Sequence, residues 1–183
     1  MIEFSMNLQD YVTINGHNKV LQYFTVYDGT LSVLRDKPIR LLEIGVFKGE
    51  SMRMWEAYFP FAEIIGLDID PECVKYQNDR VKIVIGDQRD ECLLQSLGVF
   101  NIIIDDGGHN PDEQMKSFEI LYPFLNHGGW YFIEDIHGGY HAQENTTQKF
   151  FKELVDCVAV PMVFNKYMVS EIRFINNMAA IRK

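Results

Sequence analysis

The feature that most constrains this chain is a change of phase repeated along it. Five short apolar runs, at residues 39–44, 63–68, 81–85, 100–104 and 129–133, are each followed by a segment of helical character, at 51–58, 71–77, 91–97, 111–125 and 146–158. Runs of this length, apolar on both faces, read as strands buried within a parallel sheet. Strands separated by helices pair through crossovers, which places helices on both sheet faces. Residues 169–176 and 178–182, joined at Asn176-Asn177, read as a closing hairpin. The expected fold class is therefore α/β: a seven-stranded, mostly parallel sheet with one strand antiparallel to the others.

At 183 residues the chain suits one domain. Val20, Leu21, Phe24, Tyr27, Leu31 and Leu34 recur at helical spacing before Pro38. Residues 1–38 are thus expected to form an N-terminal helical cap segment, and 39–183 the main domain. The 17 basic and 26 acidic residues give a net charge of −9. That balance argues against nucleic acid and against an anionic membrane surface as partners. Cys73, Cys92 and Cys157 form no metal- or redox-type spacing and read as reduced thiols. With no signal-like start and no apolar run of spanning length, a cytoplasmic setting is expected. A homo-oligomer is left open.

Open parallel sheets bind ligands beyond the carboxyl ends of their strands. Carboxylates stand at every one of these positions: Glu43, Asp68, Asp87, the pair Asp105-Asp106, and the pair Glu134-Asp135. So much negative charge on one edge calls for a cationic ligand, a metal, or both. The first turn carries Gly45 and Gly49 but not G-x-G-x-x-G, since Phe47 replaces the second glycine. This disfavours a pyrophosphate and suits a cofactor with an amine. Asp68 is placed for a ribose diol, and Asp87 with Gln88 for an adenine edge, while Asp70 reads as the cap of the next helix. Asp106, Glu134 and Asp135, from neighbouring strand ends, suit Mg²⁺ or a similar hard cation. His109, three residues beyond Asp106, is within reach of an oxygen held there. His17, Tyr23, His137 and His141 are weaker candidates for the rim of the site, and His127 reads as the end of a helix.

The segments LLEIGVFKGESMRMWEAYFP, GLDIDPEC, RVKIVIGDQRD, FNIIIDDGGH and GGWYFIEDIHGGY resemble the class I S-adenosylmethionine-dependent methyltransferases. They are most similar to the metal-dependent sugar O-methyltransferases of the macrolide (mycinamicin) and rhamnosyl type, a pattern shared by cephalosporin-hydroxylase-like proteins. The resemblance implies a Rossmann-like fold, S-adenosylmethionine and Mg²⁺ as cofactors, and a small-molecule hydroxyl acceptor such as a sugar. It implies that Gly45, Gly49 and Ser51, with Glu43 and Asp105 nearby, face the methionine part of the cofactor. Asp68 would take the ribose, and Asp87 and Gln88 the adenine. Asp106, Glu134 and Asp135 would ligate the metal, and His109 would act as general base. The chain has Gly108 where the family motif has Ser. Methylation of a catechol-like diol, or cofactor binding without turnover, are the alternative readings.

Overall fold

The structure, a computed structural model, describes residues 7, 8, 10, 19–137, 146–161 and 166–183. Helix α1 (Leu21–Leu31) leads through a short 3₁₀ turn, Ser32–Leu34, into strand β1 (Arg40–Ile44). Then follow α2 (Glu50–Tyr58), β2 (Glu63–Asp68), a 3₁₀ segment (Pro71–Tyr76), β3 (Val81–Ile85), α3 (Glu91–Ser96) and β4 (Phe100–Asp105). Helix α4 (Pro111–Leu121) and β5 (Leu125–Ile133) precede α5 (Thr146–Ala159), β6 (Glu171–Ile175) and β7 (Met178–Arg182).

The strands form one sheet in the order β3-β2-β1-β4-β5-β7-β6. Pairs from β3 to β5 are parallel, and β7 runs antiparallel to both β5 and β6. The expected seven-stranded α/β architecture, with one reversed strand in the closing hairpin, is the one observed. Successive side chains on a strand point to opposite faces, so one sheet builds two cores. Leu41, Ile64, Ile102, Ile104 and Phe132 pack with α1 and α2 residues such as Phe24, Tyr27 and Trp55. Leu42, Ile65, Ile103, Tyr131 and Ile181 pack on the other face with Leu94, Phe118, Phe151 and Leu154.

Two local expectations change. The helix expected across residues 111–125 ends at Leu121 and tightens into a 3₁₀ turn, Tyr122–Phe124. Pro123 has no N–H with which to continue an α-helix. Strand β5 therefore starts four residues early and contains His127, which is exposed on a strand and not at a helix end. Helix α1 runs unbroken through Asp28-Gly29, as its helical spacing predicts. The Asp28 carboxylate accepts from the Leu8 backbone N–H and from the Tyr58 hydroxyl at 2.8 Å.

Strand order reverses direction between β1 and β4, and a crevice opens at such a switch point. Here Gly45 is the hinge of packing. Its N–H donates to the Leu67 carbonyl at 2.8 Å, and its φ is +93°. A Cβ on it would lie 2.1 Å from the Asp106 carbonyl oxygen. Gly45→Ala is therefore expected to cost about 1–3 kcal/mol through backbone strain alone, read as a lower urea midpoint. An unchanged midpoint would show that the β1 and β4 ends can separate freely.

Candidate active site

A cavity of about 600 Å³ lies over the carboxyl ends of β1 to β5. That volume is within the usual range for a small-molecule site. Of the residues expected to face a cofactor, Gly45, Ser51, Asp68, Asp87 and Gln88 line it. Glu43, Gly49 and Asp105 do not line it.

Asp68 organises the first turn. Its Oδ2 accepts from the Val46 and Phe47 N–H groups at 2.8 and 2.9 Å, and its Oδ1 from the Asp70 N–H at 2.9 Å. Partial burial pushes its carboxyl up, but the N–H groups of Asp70, Phe47 and Val46 outweigh burial and hold it below the usual range. Asp70 accepts from Glu72 N–H and caps the 3₁₀ segment, as its position before Pro71 predicts. Asp87 is gripped by the Arg89 side chain at 2.7 and 3.0 Å, which lowers its carboxyl to about 2.

Gln88 lines the cavity, and Asp105 lies buried behind it. The Gln88 side chain accepts from Gly108 N–H at 2.7 Å and donates to Asp105 at 3.3 Å. Asp105 is fully buried and also accepts from the Ser117 hydroxyl. Burial pushes its carboxyl up to about 7. These contacts staple the β4 loop to β3 and α4. Asp105 and Asp106, adjacent in sequence, thus point to opposite sides of the sheet edge.

Asp106 faces a second, acidic assembly. Lys19 Nζ lies 2.6 Å from Asp106, 2.7 Å from Glu134 and 2.9 Å from Glu43. Glu43 and Glu134 are buried, as is Lys19. Trp55 Nε1 donates to Glu43 Oε2 at 2.9 Å, and the Tyr27 hydroxyl donates to Glu134 Oε1. Burial opposes the Lys19 charge, but Glu134, Glu43 and Asp106 together hold its pKa above the ordinary value. Burial raises Glu134 against the pull of Lys19.

Asp135 sits at φ 53°, a left-handed conformation. It accepts from the Tyr23 hydroxyl at 2.9 Å and from Asn177 at 3.0 Å, and lies 3.7 Å from His109 Nε2. Asn177 also meets His137 Nδ1 at 2.6 Å. Among the described residues, Asp106 joins two groups whose ligand atoms lie within 4.8 Å of one another. One is Asp106, His109 and Asp135, and the other is Glu43, Asp106 and Glu134. The donors are mostly carboxylate oxygens, the chemistry of a hard divalent cation.

Sequence reasoning missed Lys19 and the polar tips of Tyr27 and Trp55. A lone lysine ahead of a helix and aromatics at helical spacing carry no signal of a site. Tyr23 was a weak candidate and touches Asp135 directly. His17 and His141 lie outside the described residues. Cys73, Cys92 and Cys157 are free thiols, and no described helix is long and apolar enough to cross a membrane.

No protein-family profile matches the chain. Over 153 residues, 73% of this chain and 40% of the other, it is 33% identical to 8-demethyl-8-α-L-rhamnosyl tetracenomycin-C 2'-O-methyltransferase of Streptomyces olivaceus. It is 37% identical over 132 residues to mycinamicin VI 2''-O-methyltransferase of Micromonospora griseorubida, covering 66% of this chain and 33% of that one. The MycE methyltransferase of mycinamycin biosynthesis, solved with Mg, S-adenosylhomocysteine and mycinamycin VI, superposes with a TM-score of 0.85. That match is 28% identical and covers 97% of this chain and 54% of MycE.

The chain has the class I methyltransferase fold and is a homologue of the sugar O-methyltransferases. The chain spans about 40% of the length of the tetracenomycin enzyme that it matches. Its match to MycE extends over nearly the whole of this chain.

Proposed function

We propose that this methyltransferase chain transfers a methyl group from S-adenosylmethionine to a hydroxyl of a sugar on a glycosylated natural product, with Mg²⁺ as cofactor. The observation that carries the reading is the convergence of Asp106, His109 and Asp135 on the wall of the cavity, within 4.8 Å of one another. The relatives named for 2'- and 2''-O-methylation, and the Mg and S-adenosylhomocysteine bound to MycE, support it.

In this reading Gly45, Gly49 and Ser51 form the turn at the methionine end of the cofactor, with Glu43 behind it. Asp68 takes the ribose on the carboxylate sites that its backbone donors leave free. Asp87 and Gln88 border the adenine, with Arg89 holding Asp87 and Gln88 fixing the loop. Asp106, Glu134 and Asp135 hold the metal, which when bound supplies Lewis acidity to an acceptor hydroxyl. His109 receives the hydroxyl proton at Nε2, a role worth about 10²–10⁴-fold in rate. Asp135 lies 3.7 Å from that nitrogen. The cavity wall orients acceptor and donor for in-line displacement, where positioning provides much of the acceleration.

The test is methyl transfer to rhamnosylated tetracenomycin or mycinamicin-type acceptors. Protein stripped with EDTA should be inactive and recover on addition of Mg²⁺. Undiminished transfer in excess chelator would overturn the metal-dependent reading. Binding of S-adenosylhomocysteine with no product from any glycoside or catechol would favour a role without turnover.

A further inference from the structure

We propose that Lys19 is a built-in competitor for the divalent cation, so that metal binding at the ends of β4 and β5 proceeds by exchange with its ammonium group. The inference rests on the metal-dependent reading above and goes beyond it by assigning a residue outside the expected ligand set.

The geometry is a cation site already filled from within the chain. Glu43 comes from β1, Asp106 from the end of β4 and Glu134 from the end of β5, and their ligand oxygens lie within 4.8 Å of one another. Three carboxylates so close require a positive partner. Among the described residues, every salt bridge to these three comes from Lys19. The Lys19 side chain is only 2% exposed, so bulk counterions cannot substitute for it freely.

The conflict is over particular atoms. Lys19 Nζ is 2.6 Å from Asp106 Oδ2 and 2.7 Å from Glu134 Oε1. Glu134 Oε1 also accepts from Tyr27. A Mg²⁺ or Mn²⁺ ion taking the same two oxygens would stand roughly 2.0–2.2 Å from each. An ammonium cannot keep its bonds to those oxygens while a dication occupies them, and the two positive charges repel at this range. Asp135 lies outside the Lys19 contacts and stays available to the incoming ion. Asp106 and Glu134 both line the cavity, and Asp106 is the more exposed of the two, at 20% side-chain exposure. Asp106 and Asp135 are thus the more exposed carboxylates at which an ion would meet the site.

The experiment measures Mn²⁺ affinity in the full chain by calorimetry and by loss of the free-ion spin-resonance signal. Lys19→Met removes the competitor and should bind Mn²⁺ about tenfold tighter or more, while Lys19→Arg should stay near the parent value. Lys19→Met should also melt lower in EDTA and regain its stability as Mn²⁺ is added, with a steeper dependence than the parent. If Lys19→Met is too unstable without metal, Lys19→Gln and the Mn²⁺ dependence of melting give the same comparison. Unchanged or weaker Mn²⁺ affinity in both neutral variants overturns the exchange. So does failure of saturating Mn²⁺ to restore their folding. Binding that is tight in the parent and lost in Asp135→Asn, yet indifferent to Lys19, leaves the metal reading intact and removes only the exchange. Absence of Mn²⁺ binding in parent and folded variants alike removes the metal reading itself.

Discussion

Asp106→Asn should lower methyl transfer by about 10³-fold, the order expected when a charge that positions the reacting centre is removed. Asp106 is the residue common to both groups of candidate ligands. Its backbone is fixed independently of its carboxylate, because its N–H donates to the Ile44 carbonyl at 2.9 Å. Asn keeps the shape of the side chain and removes its charge. The turn after β1, which the proposed function places at the cofactor, is held by Asp68 and Gly45, and neither depends on the Asp106 carboxylate. S-adenosylhomocysteine affinity, measured by calorimetry, should therefore stay close to the parent value. A variant that loses cofactor affinity in proportion to rate would place Asp106 at the cofactor, and one of undiminished rate would remove it from the chemistry.

Trp55→Ala should cost about 3–5 kcal/mol of stability, as large aromatic truncations in a core do. Trp55 is fully buried and packs edge-on to Tyr27 at 5.0 Å and stacked with Phe59 at 6.1 Å. It has a second task, because its indole N–H donates to the buried Glu43 carboxylate. Trp55→Phe retains most of the packing and deletes that donor. It should lose about 1–3 kcal/mol, the cost of leaving a buried acceptor short of a partner. Urea midpoints of the two variants separate packing from the hydrogen bond. If Trp55→Phe matches the parent, Lys19 alone satisfies Glu43.

Much of the fold is legible in the sequence because a strand buried on both faces must be apolar throughout. The runs at 63–68, 81–85 and 178–182 coincide with β2, β3 and β7 to the residue. Helix ends are less legible, since Pro123 and the start of β5 compete for the same residues. The acidic edge is legible because topology alone brings the carboxyl ends of parallel strands together. Which member of a pair faces the cavity is not. Asp105 and Asp106 differ only in strand phase, and phase at a strand end is set by the pairing of Asp105 with Ile133 and Ile44. Glu134 and Asp135 likewise meet different partners, and Asp135 has a positive φ. Lys19 is illegible for another reason. Its partners lie 24, 87 and 115 residues further along the chain (Glu43, Asp106 and Glu134), and only the folded sheet brings them together.

Helix α1 also bears on modularity. Tyr23, Phe24, Tyr27 and Leu31 are inaccessible to solvent and share one core with β1, β4 and β5. Tyr23 and Tyr27 at the same time hold Asp135 and Glu134. The helix that seals one face of the sheet thus also contributes Tyr23 to the wall of the cavity. Recombination that exchanged this segment for another would have to match an aromatic interior and an acidic pocket together. Helix α1 and the sheet therefore form one packed unit and cannot be exchanged separately without loss of both.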